Sequence, residues 1–159
     1  MKDFDDTFVT TSVERPGGLE TILLVEDDFE VREIASETLG RSGYLVLPAD
    51  SERQALNAWK QFGKRIDLLL TDVLIPYRCT GAELARKFQR MNPKLKVLFM
   101  SGFGPEICAG DPALASGWFL SKPFSPPVLL RIVSSCLNAG RVSSETCLLR
   151  ELQHCSLPR

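Results

Sequence analysis

Short, almost wholly apolar runs recur along the chain and alternate with longer segments in which apolar residues repeat at helical spacing. Runs of this length and composition are typical of strands that are buried on both faces of a parallel sheet. The predicted strands are 21–25, 45–47, 66–72, 96–100 and 118–121. The third run ends in a single carboxylate, Asp72.

A helix is predicted after each of these runs. The first spans 29–42, with Val31, Ile34, Ala35 and Leu39 on its apolar side and Gly43 as its stop. Capping-box sequences open the second helix at residue 51 and the third at residue 80. A glycine and a proline interrupt 105–115, so a fourth helix there is expected to be short or irregular. The last helix follows Ser125 and two prolines.

Strict alternation of strands and helices predicts an α/β fold, a doubly wound five-stranded parallel sheet with helices on both faces. The sheet and its helices occupy 21–140 as one domain. Residues 1–20 and 141–159 are polar and weakly periodic, and we expect them to be tails or linkers. Since little follows residue 140, no separate output domain is expected.

Composition narrows the possible functions. Hydrophobic residues make up 44% of the 159 residues, enough for one core. The formal charge of -1, without runs of like charge, disfavours direct binding to nucleic acid. No apolar segment is long enough to span a bilayer and the start is not a signal peptide, so we expect a cytoplasmic protein without a membrane partner. The five cysteines are widely spaced and are interpreted as free thiols.

Reactive side chains stand where four of the five predicted strands end. Glu26 and Asp27 follow the first strand, Asp72 ends the third, Ser101 follows the fourth and Lys122 follows the fifth. In open parallel sheets the ligand crevice lies outside the carboxyl ends of the strands. These five side chains are therefore predicted to meet at one edge of the sheet.

Such a group of acids favours a bound cation. Carboxylates about 4 Å apart repel each other by roughly 4 kcal/mol at an effective dielectric near 20. An all-oxygen ligand set suits Mg²⁺, a hard ion that keeps several of its waters. With Mg²⁺ present, Asp72 can act as a nucleophile toward phosphorus, and Lys122 and Ser101 can neutralise the oxygens of the transferring group.

Each residue also has a simpler interpretation. Asp27 or Asp28 could merely cap the first helix, Ser101 could belong to a turn, and Lys122 could be a solvated charge. It is much less expected that all five residues would occur by chance in this order and at one edge of the sheet.

The chain resembles a response-regulator receiver domain. The resemblance covers about residues 20–140. Its motifs are LLVEDD at 23–28, LTDV at 70–73 with Pro76 and Gly81, MSG at 100–102, and KPF at 122–124. The lead-in at 17–23, the long loop after Asp72 and the irregular 105–115 segment are similar to receivers at the C-terminus of hybrid sensor histidine kinases.

The resemblance implies a role for each residue at the strand ends. Asp72 would be the phosphoacceptor, Asp27 a direct Mg²⁺ ligand, Glu26 a ligand through water, and the Leu74 carbonyl the remaining protein ligand. The phosphoryl donor would be a sensor histidine kinase or a phosphotransfer protein, and an unidentified downstream protein would recognise the phosphorylated form.

Further roles are implied by the same resemblance. Lys122 would contact the phosphate, and Ser101 would be the switch hydroxyl that turns toward it. Phe119 fits the place of the aromatic residue that moves with that hydroxyl, although an ordinary core phenylalanine is an equal interpretation. Leu74 and Phe103, two residues beyond Asp72 and Ser101, would flank the path of a water that attacks the acyl phosphate. Because both are apolar, we expect slow self-dephosphorylation.

Other functions fit the sequence less well. A pseudo-receiver that docks a partner without phosphate would have no use for three crowded carboxylates. An Asp-x-Asp phosphatase needs two aspartates at a spacing that 26–29 lacks. An FMN-binding flavodoxin and a P-loop protein would each need a phosphate loop that this sequence does not contain.

Overall fold

The computed structural model describes residues 20–75, 79–102, 114 and 117–139. The strands are β1 Thr21–Val25, β2 Leu45–Ala49, β3 Ile66–Asp72, β4 Lys96–Ser101 and β5 Trp118–Ser121. The α-helices in this part of the chain are α1 Phe29–Arg41, α2 Glu52–Phe62, α3 Gly81–Met91 and α4 Pro126–Asn138, and a 3₁₀ turn at Gly63–Arg65 leads into β3. The predicted irregular helix at 105–115 and the two predicted tails lie outside the described residues, apart from Glu20 and Leu114.

The five strands form one parallel sheet in the order β2-β1-β3-β4-β5. This arrangement confirms the predicted doubly wound fold. Strand order reverses between β1 and β3, and in folds of this kind the crevice at the reversal point is where ligands bind. The residues that follow β1 and end β3 therefore face each other across that crevice.

Alternate side chains of the central strands enter two hydrophobic layers. One layer packs β1, β3 and β4 against α2 and α3, and it contains the stacked rings of Trp59 and Phe88, whose centroids are 4.2 Å apart. The other packs the opposite sheet face against α1 and α4 and includes Leu39 and Leu129. Because both faces are covered, β3 carries an almost continuous apolar sequence.

Side-chain caps fix the starts of three helices. Asp28 accepts from the backbone N–H of Val31 at 3.0 Å, which resolves which acid caps α1. Ser51 caps α2 by accepting from the N–H of Gln54 at 3.5 Å, but the Gln54 side chain accepts from the N–H of Asp50, so the predicted capping box is only half formed. Thr80 and Glu83 form a complete capping box at α3. Each cap satisfies backbone donors that the helix itself leaves free and so fixes where the chain turns away from the sheet edge.

Several local predictions were wrong. Ile34 was placed on the buried side of the first helix but is 52% exposed, because the buried line follows the i, i+4 pair Ala35 and Leu39. The second strand continues to Ala49 through Pro48, which an edge strand tolerates. Ser125 and the two prolines stand at the start of α4 as predicted, although the Ser125 side chain makes no capping hydrogen bond.

Two of the five cysteines, Cys79 and Cys136, lie in the described part of the chain, and both are free and buried. Burial raises the pKa of the Cys79 thiol, and it raises that of Cys136 to about 12. Because a thiol of high pKa is rarely ionised, neither is a reactive nucleophile at neutral pH. The other three cysteines lie outside the described residues.

Candidate functional site

Lys122, directly after β5, joins the acids of the first and third strands. Its ammonium nitrogen lies 2.6 Å from Glu26 Oε2 and 2.5 Å from Asp72 Oδ2. The backbone N–H of Lys122 also donates to the carbonyl of Ser101 at 2.7 Å, which ties the end of β5 to the end of β4. Lys122 is therefore in direct contact with three other predicted site residues, at the carboxyl edge of the sheet.

The carboxylate of Glu26 is almost completely enclosed, with 1% of its side chain exposed. Burial raises its pKa above the ordinary value. The ammonium of Lys122 opposes that rise, the negative charge of Asp72 adds to it, and the backbone N–H of Asp28 opposes it. Burial alone would lower the pKa of Lys122, but its close contacts with the Asp72 and Glu26 carboxylates, and their negative charges, raise it instead. Lys122 is therefore firmly protonated at neutral pH.

Asp27 completes a group of three acids. Glu26, Asp27 and Asp72 each offer one carboxylate oxygen, and these oxygens all lie within 4.8 Å of one another. Asp27 is exposed, Asp72 is partly buried and Glu26 is buried, so the group opens to solvent on the Asp27 side. The cluster predicted from the sequence is thus present, with its open side toward solvent.

The backbone around Asp72 holds its carboxylate and its carbonyl in place. The N–H of Leu74 donates to Asp72 Oδ1 at 2.9 Å, and the Thr71 hydroxyl donates to the Asp72 carbonyl at 3.0 Å. Gly81, at the start of α3, packs against the same carbonyl: a β-carbon there would overlap the oxygen and lie 3.1 Å from the carbonyl carbon. With Oδ1 held by backbone and Oδ2 by Lys122, the carboxylate has a defined orientation.

The two proposed switch residues lie on neighbouring strands. Ser101 ends β4 and is 7% exposed. Phe119 lies opposite Phe99 in the β4–β5 register, and their ring centroids are 5.5 Å apart at an interplanar angle of 32°. Phe119 is only partly buried, whereas Phe99 is 1% exposed, and both pack in the same hydrophobic layer.

The remaining predicted residues near the site are Leu74, Phe103 and Pro76. The Leu74 side chain is 51% exposed beside the acids, but Phe103, its predicted counterpart, lies outside the described residues. Pro76 of the third-strand motif also lies outside them. In the sequence, Gly81 is recognisable only as part of a motif, because its close approach to Asp72 depends on how α3 packs. Arg32, whose guanidinium donates to the Glu26 carbonyl at 2.6 Å, has no sequence signal that predicts this contact.

A family model described as the response regulator receiver domain matches residues 22–134. The chain belongs to this family. Receivers act in two-component systems and bind Mg²⁺ at an acidic pocket. This chain has a group of three acids at the edge of its sheet. The phosphoryl donors of receivers are histidine kinases or phosphotransfer proteins.

Two relatives come from Brucella abortus (strain 2308). The receiver is 36% identical over 122 residues to the sensor kinase CckA, an alignment that covers 76% of this chain and 13% of the kinase. It is 35% identical over 123 residues to the response regulator receiver protein CpdR, covering 77% of this chain and all of CpdR. The chain thus spans a small part of one relative and the whole length of the other.

Solved receivers have the same fold. The receiver domain from the hybrid histidine kinase CckA is 32% identical, with a TM-score of 0.62, over 74% of this chain and 98% of that domain. A response regulator receiver protein from Sinorhizobium medicae WSM419 is 30% identical, with a TM-score of 0.66, over 76% and 96% of the two chains. Among the described residues of this receiver, no helix has the length and apolar character needed to cross a membrane.

Proposed function

We propose that this receiver accepts a phosphoryl group from a phosphohistidine donor onto Asp72 and switches a surface that a partner protein recognises. The contact between the Lys122 ammonium and the Asp72 carboxylate supports this most directly. It places a cation beside a nucleophile at the crevice where the strand order reverses. The domain would span about 21–140 and act in the cytoplasm.

The residues around Asp72 can support in-line transfer. One Asp72 oxygen attacks phosphorus as the bond from phosphorus to the donor's imidazole nitrogen breaks. The bonding electron pair stays on that nitrogen, and because the donor ring carries a proton on its other nitrogen, it leaves as neutral imidazole. Lys122 can move its contact from the carboxylate to a phosphoryl oxygen, and Ser101 can donate to another. Positioned cations and donors of this kind provide most of the catalysis in phosphoryl transfer.

The three acids fit Mg²⁺. They form an all-oxygen donor set with one side open to solvent, and together with Lys122 they carry a net charge of about minus two when ionised. Asp27 and Asp72 would be direct ligands, Glu26 would act through water, and the Leu74 carbonyl would be the remaining protein ligand. Bound there, Mg²⁺ would neutralise charge on the transferring phosphoryl group.

Mg²⁺ is expected to stabilise the wild-type receiver, and Asp27→Asn is expected to remove most of that effect. At ten times the dissociation constant, the ion should add about 1.4 kcal/mol to the free energy of unfolding. Asp28→Asn is the matched control. Asp28 caps α1, asparagine caps equally well, and its carboxylate is not in the acidic group. Thermal unfolding with and without Mg²⁺ measures the stabilisation of wild type and of the two variants. Equal stabilisation of wild type and Asp27→Asn would contradict the assignment.

The proposed function is tested by intact mass after incubation with Mg²⁺ and acetyl phosphate. Wild type is expected to gain one phosphoryl group, and Asp72→Asn none. Asp67→Asn is the control, because Asp67 lies at the opposite end of β3, where its carboxylate accepts from the N–H of Thr21 at 2.8 Å, a bond that asparagine can keep. It should be phosphorylated like wild type.

If acetyl phosphate does not phosphorylate the receiver, the next test is incubation with a phosphohistidine donor, since small donors are inefficient with some receivers. Failure with both donors would favour the pseudo-receiver alternative, a docking module that works without phosphate. No observation favours that alternative at present, since the nucleophile, the lysine and the three acids are all in place.

Self-dephosphorylation is expected to be slow. The Leu74 side chain is apolar and half-exposed beside the acids, so it cannot orient a water for attack on the acyl phosphate. Replacing Leu74 and Phe103 together with glutamine should shorten the half-life of the phosphorylated form, measured by its decay after the donor is removed. An unchanged half-life would count against this explanation.

A further inference from the structure

Arg32, in the first turns of α1, contacts the backbone that carries two of the three acids. A single guanidinium nitrogen, Nη1, donates to the carbonyl of Glu26 at 2.6 Å and to the carbonyl of Asp27 at 3.2 Å. Helical side chains point back toward the N-terminus of their helix, so an arginine at this position reaches the turn that precedes it. One side chain thus holds two consecutive peptide units.

The orientation of Arg32 is itself fixed. Its guanidinium carbon lies 5.6 Å from the centroid of the Phe29 ring, within the range of a cation–π contact. Its backbone N–H makes the first helical bond, to the carbonyl of Asp28 at 3.0 Å, and the Asp28 side chain caps the same helix. The donor is therefore placed by the helix and by an aromatic ring.

The turn that Arg32 holds has little other freedom. The N–H of Glu26 is bonded to the carbonyl of Ala49 on β2 at 3.0 Å, and the Glu26 carboxylate accepts from the N–H of Asp28 at 3.3 Å. These bonds fix the two ends of the turn. The Glu26 and Asp27 carbonyls between them accept from the guanidinium, so Arg32 helps to fix how the peptide planes that contain these carbonyls are rotated.

We propose that Arg32 is a positioning residue for the cation site, because it fixes the peptide planes from which the Glu26 and Asp27 side chains extend. Charged donors make strong bonds to carbonyls, and supporting contacts of this kind typically change metal affinity by about 10-fold to 100-fold. The inference rests on the proposed Mg²⁺ site.

The charge of Arg32 acts in the opposite direction to its geometry. A guanidinium near the site repels a divalent cation, so removing only its charge would strengthen Mg²⁺ binding. Removing its hydrogen bonds would weaken binding. The sign of the change therefore distinguishes a positioning role from a purely electrostatic one.

The experiment is a calorimetric Mg²⁺ titration of wild type, Arg32→Met and Arg32→Lys. Methionine keeps the length of the stem but removes the donors, so the dissociation constant should rise about 10-fold. Lysine keeps the charge and one donor group, so the dissociation constant of Arg32→Lys should lie between those of wild type and Arg32→Met. Arg41→Met is the matched control: Arg41 lies in the last turn of the same helix, in an exposed pair with Glu37, and its loss should leave Mg²⁺ affinity unchanged.

A second measurement separates affinity from chemistry. The Mg²⁺ concentration for half-maximal phosphorylation should rise in Arg32→Met, whereas the rate at saturating Mg²⁺ should remain within about twofold of wild type. Unchanged or tighter Mg²⁺ binding by a folded Arg32→Met would overturn the positioning role while leaving the proposed site intact. Failure of the wild type itself to bind Mg²⁺ would overturn both.

Discussion

Replacing Lys122 with methionine is expected to slow phosphorylation of the receiver by about 100-fold and to lower its free energy of unfolding by about 3 kcal/mol at pH 7. The rate falls because the proposed transfer loses the cation beside the nucleophile. Stability falls because Glu26, 1% exposed, and Asp72, 15% exposed, would lose the ammonium that lies between them. Denaturant unfolding and phosphorylation followed by intact mass measure the two effects.

The stability loss in Lys122→Met should depend on pH in a defined direction. Without the ammonium, burial and the charge of Asp72 would raise the pKa of Glu26 further above its ordinary value. The folded state would then bind this proton more tightly than the unfolded state, so stability increases as pH falls through the folded pKa toward the unfolded value near 4.5. The difference in the free energy of unfolding between wild type and Lys122→Met should become smaller over that pH range. A difference that stays constant would contradict the charge explanation.

Lys87→Met is the control for loss of an ion-paired lysine. Lys87 pairs with Glu52 at 3.4 Å between α3 and α2, but its side chain is 51% exposed. Exposed pairs contribute little, so the expected change in stability is less than about 1 kcal/mol and phosphorylation should not change.

Gly81→Ala is expected to destabilise the receiver by about 3 kcal/mol and to slow phosphorylation. The new β-carbon would overlap the Asp72 carbonyl oxygen and press on the Thr71 side chain, 3.1 Å away. Backbone atoms cannot move aside as a flexible side chain can, so the start of α3 and the end of β3 would have to separate. A displacement of about 1 Å at a nucleophile can cost about 100-fold in rate.

Gly40→Ala should have the opposite sign. Gly40 lies in α1, and a β-carbon there would meet nothing within 4 Å. Alanine is the better helix former, so this variant should be more stable by about 0.5–1 kcal/mol. Denaturant midpoints compare the two variants. A Gly81→Ala receiver as stable as wild type would show that the close approach to Asp72 is not required.

The sequence predicted the sheet and the strand-end chemistry well because both follow from local patterns. Buried parallel strands are short and apolar, and their ends meet at one edge, so Glu26, Asp72 and Lys122 could be placed together before any contact was known. Capping boxes likewise identified Ser51 and Thr80 as helix starts.

Features that depend on three-dimensional packing could not be predicted in this way. The apolar character of Ile34 suggested burial, but its position around α1 faces solvent. The restriction at Gly81 comes from the distance between α3 and β3, which periodicity does not give. In the sequence, Arg32 looks like an ordinary solvated charge on a helix. Only the structure shows that its side chain points toward the preceding turn and bonds to the Glu26 and Asp27 carbonyls.

We propose that Asp72 itself carries the phosphoryl group. The direct test is to reduce the phosphorylated receiver with borohydride, which converts an aspartyl phosphate to homoserine, and to locate the converted residue by peptide sequencing. We expect homoserine at position 72 alone, dependent on both donor and Mg²⁺. Conversion at Asp27 or Asp28 with Asp72 unchanged, or a phosphoryl group that resists borohydride, would contradict the claim.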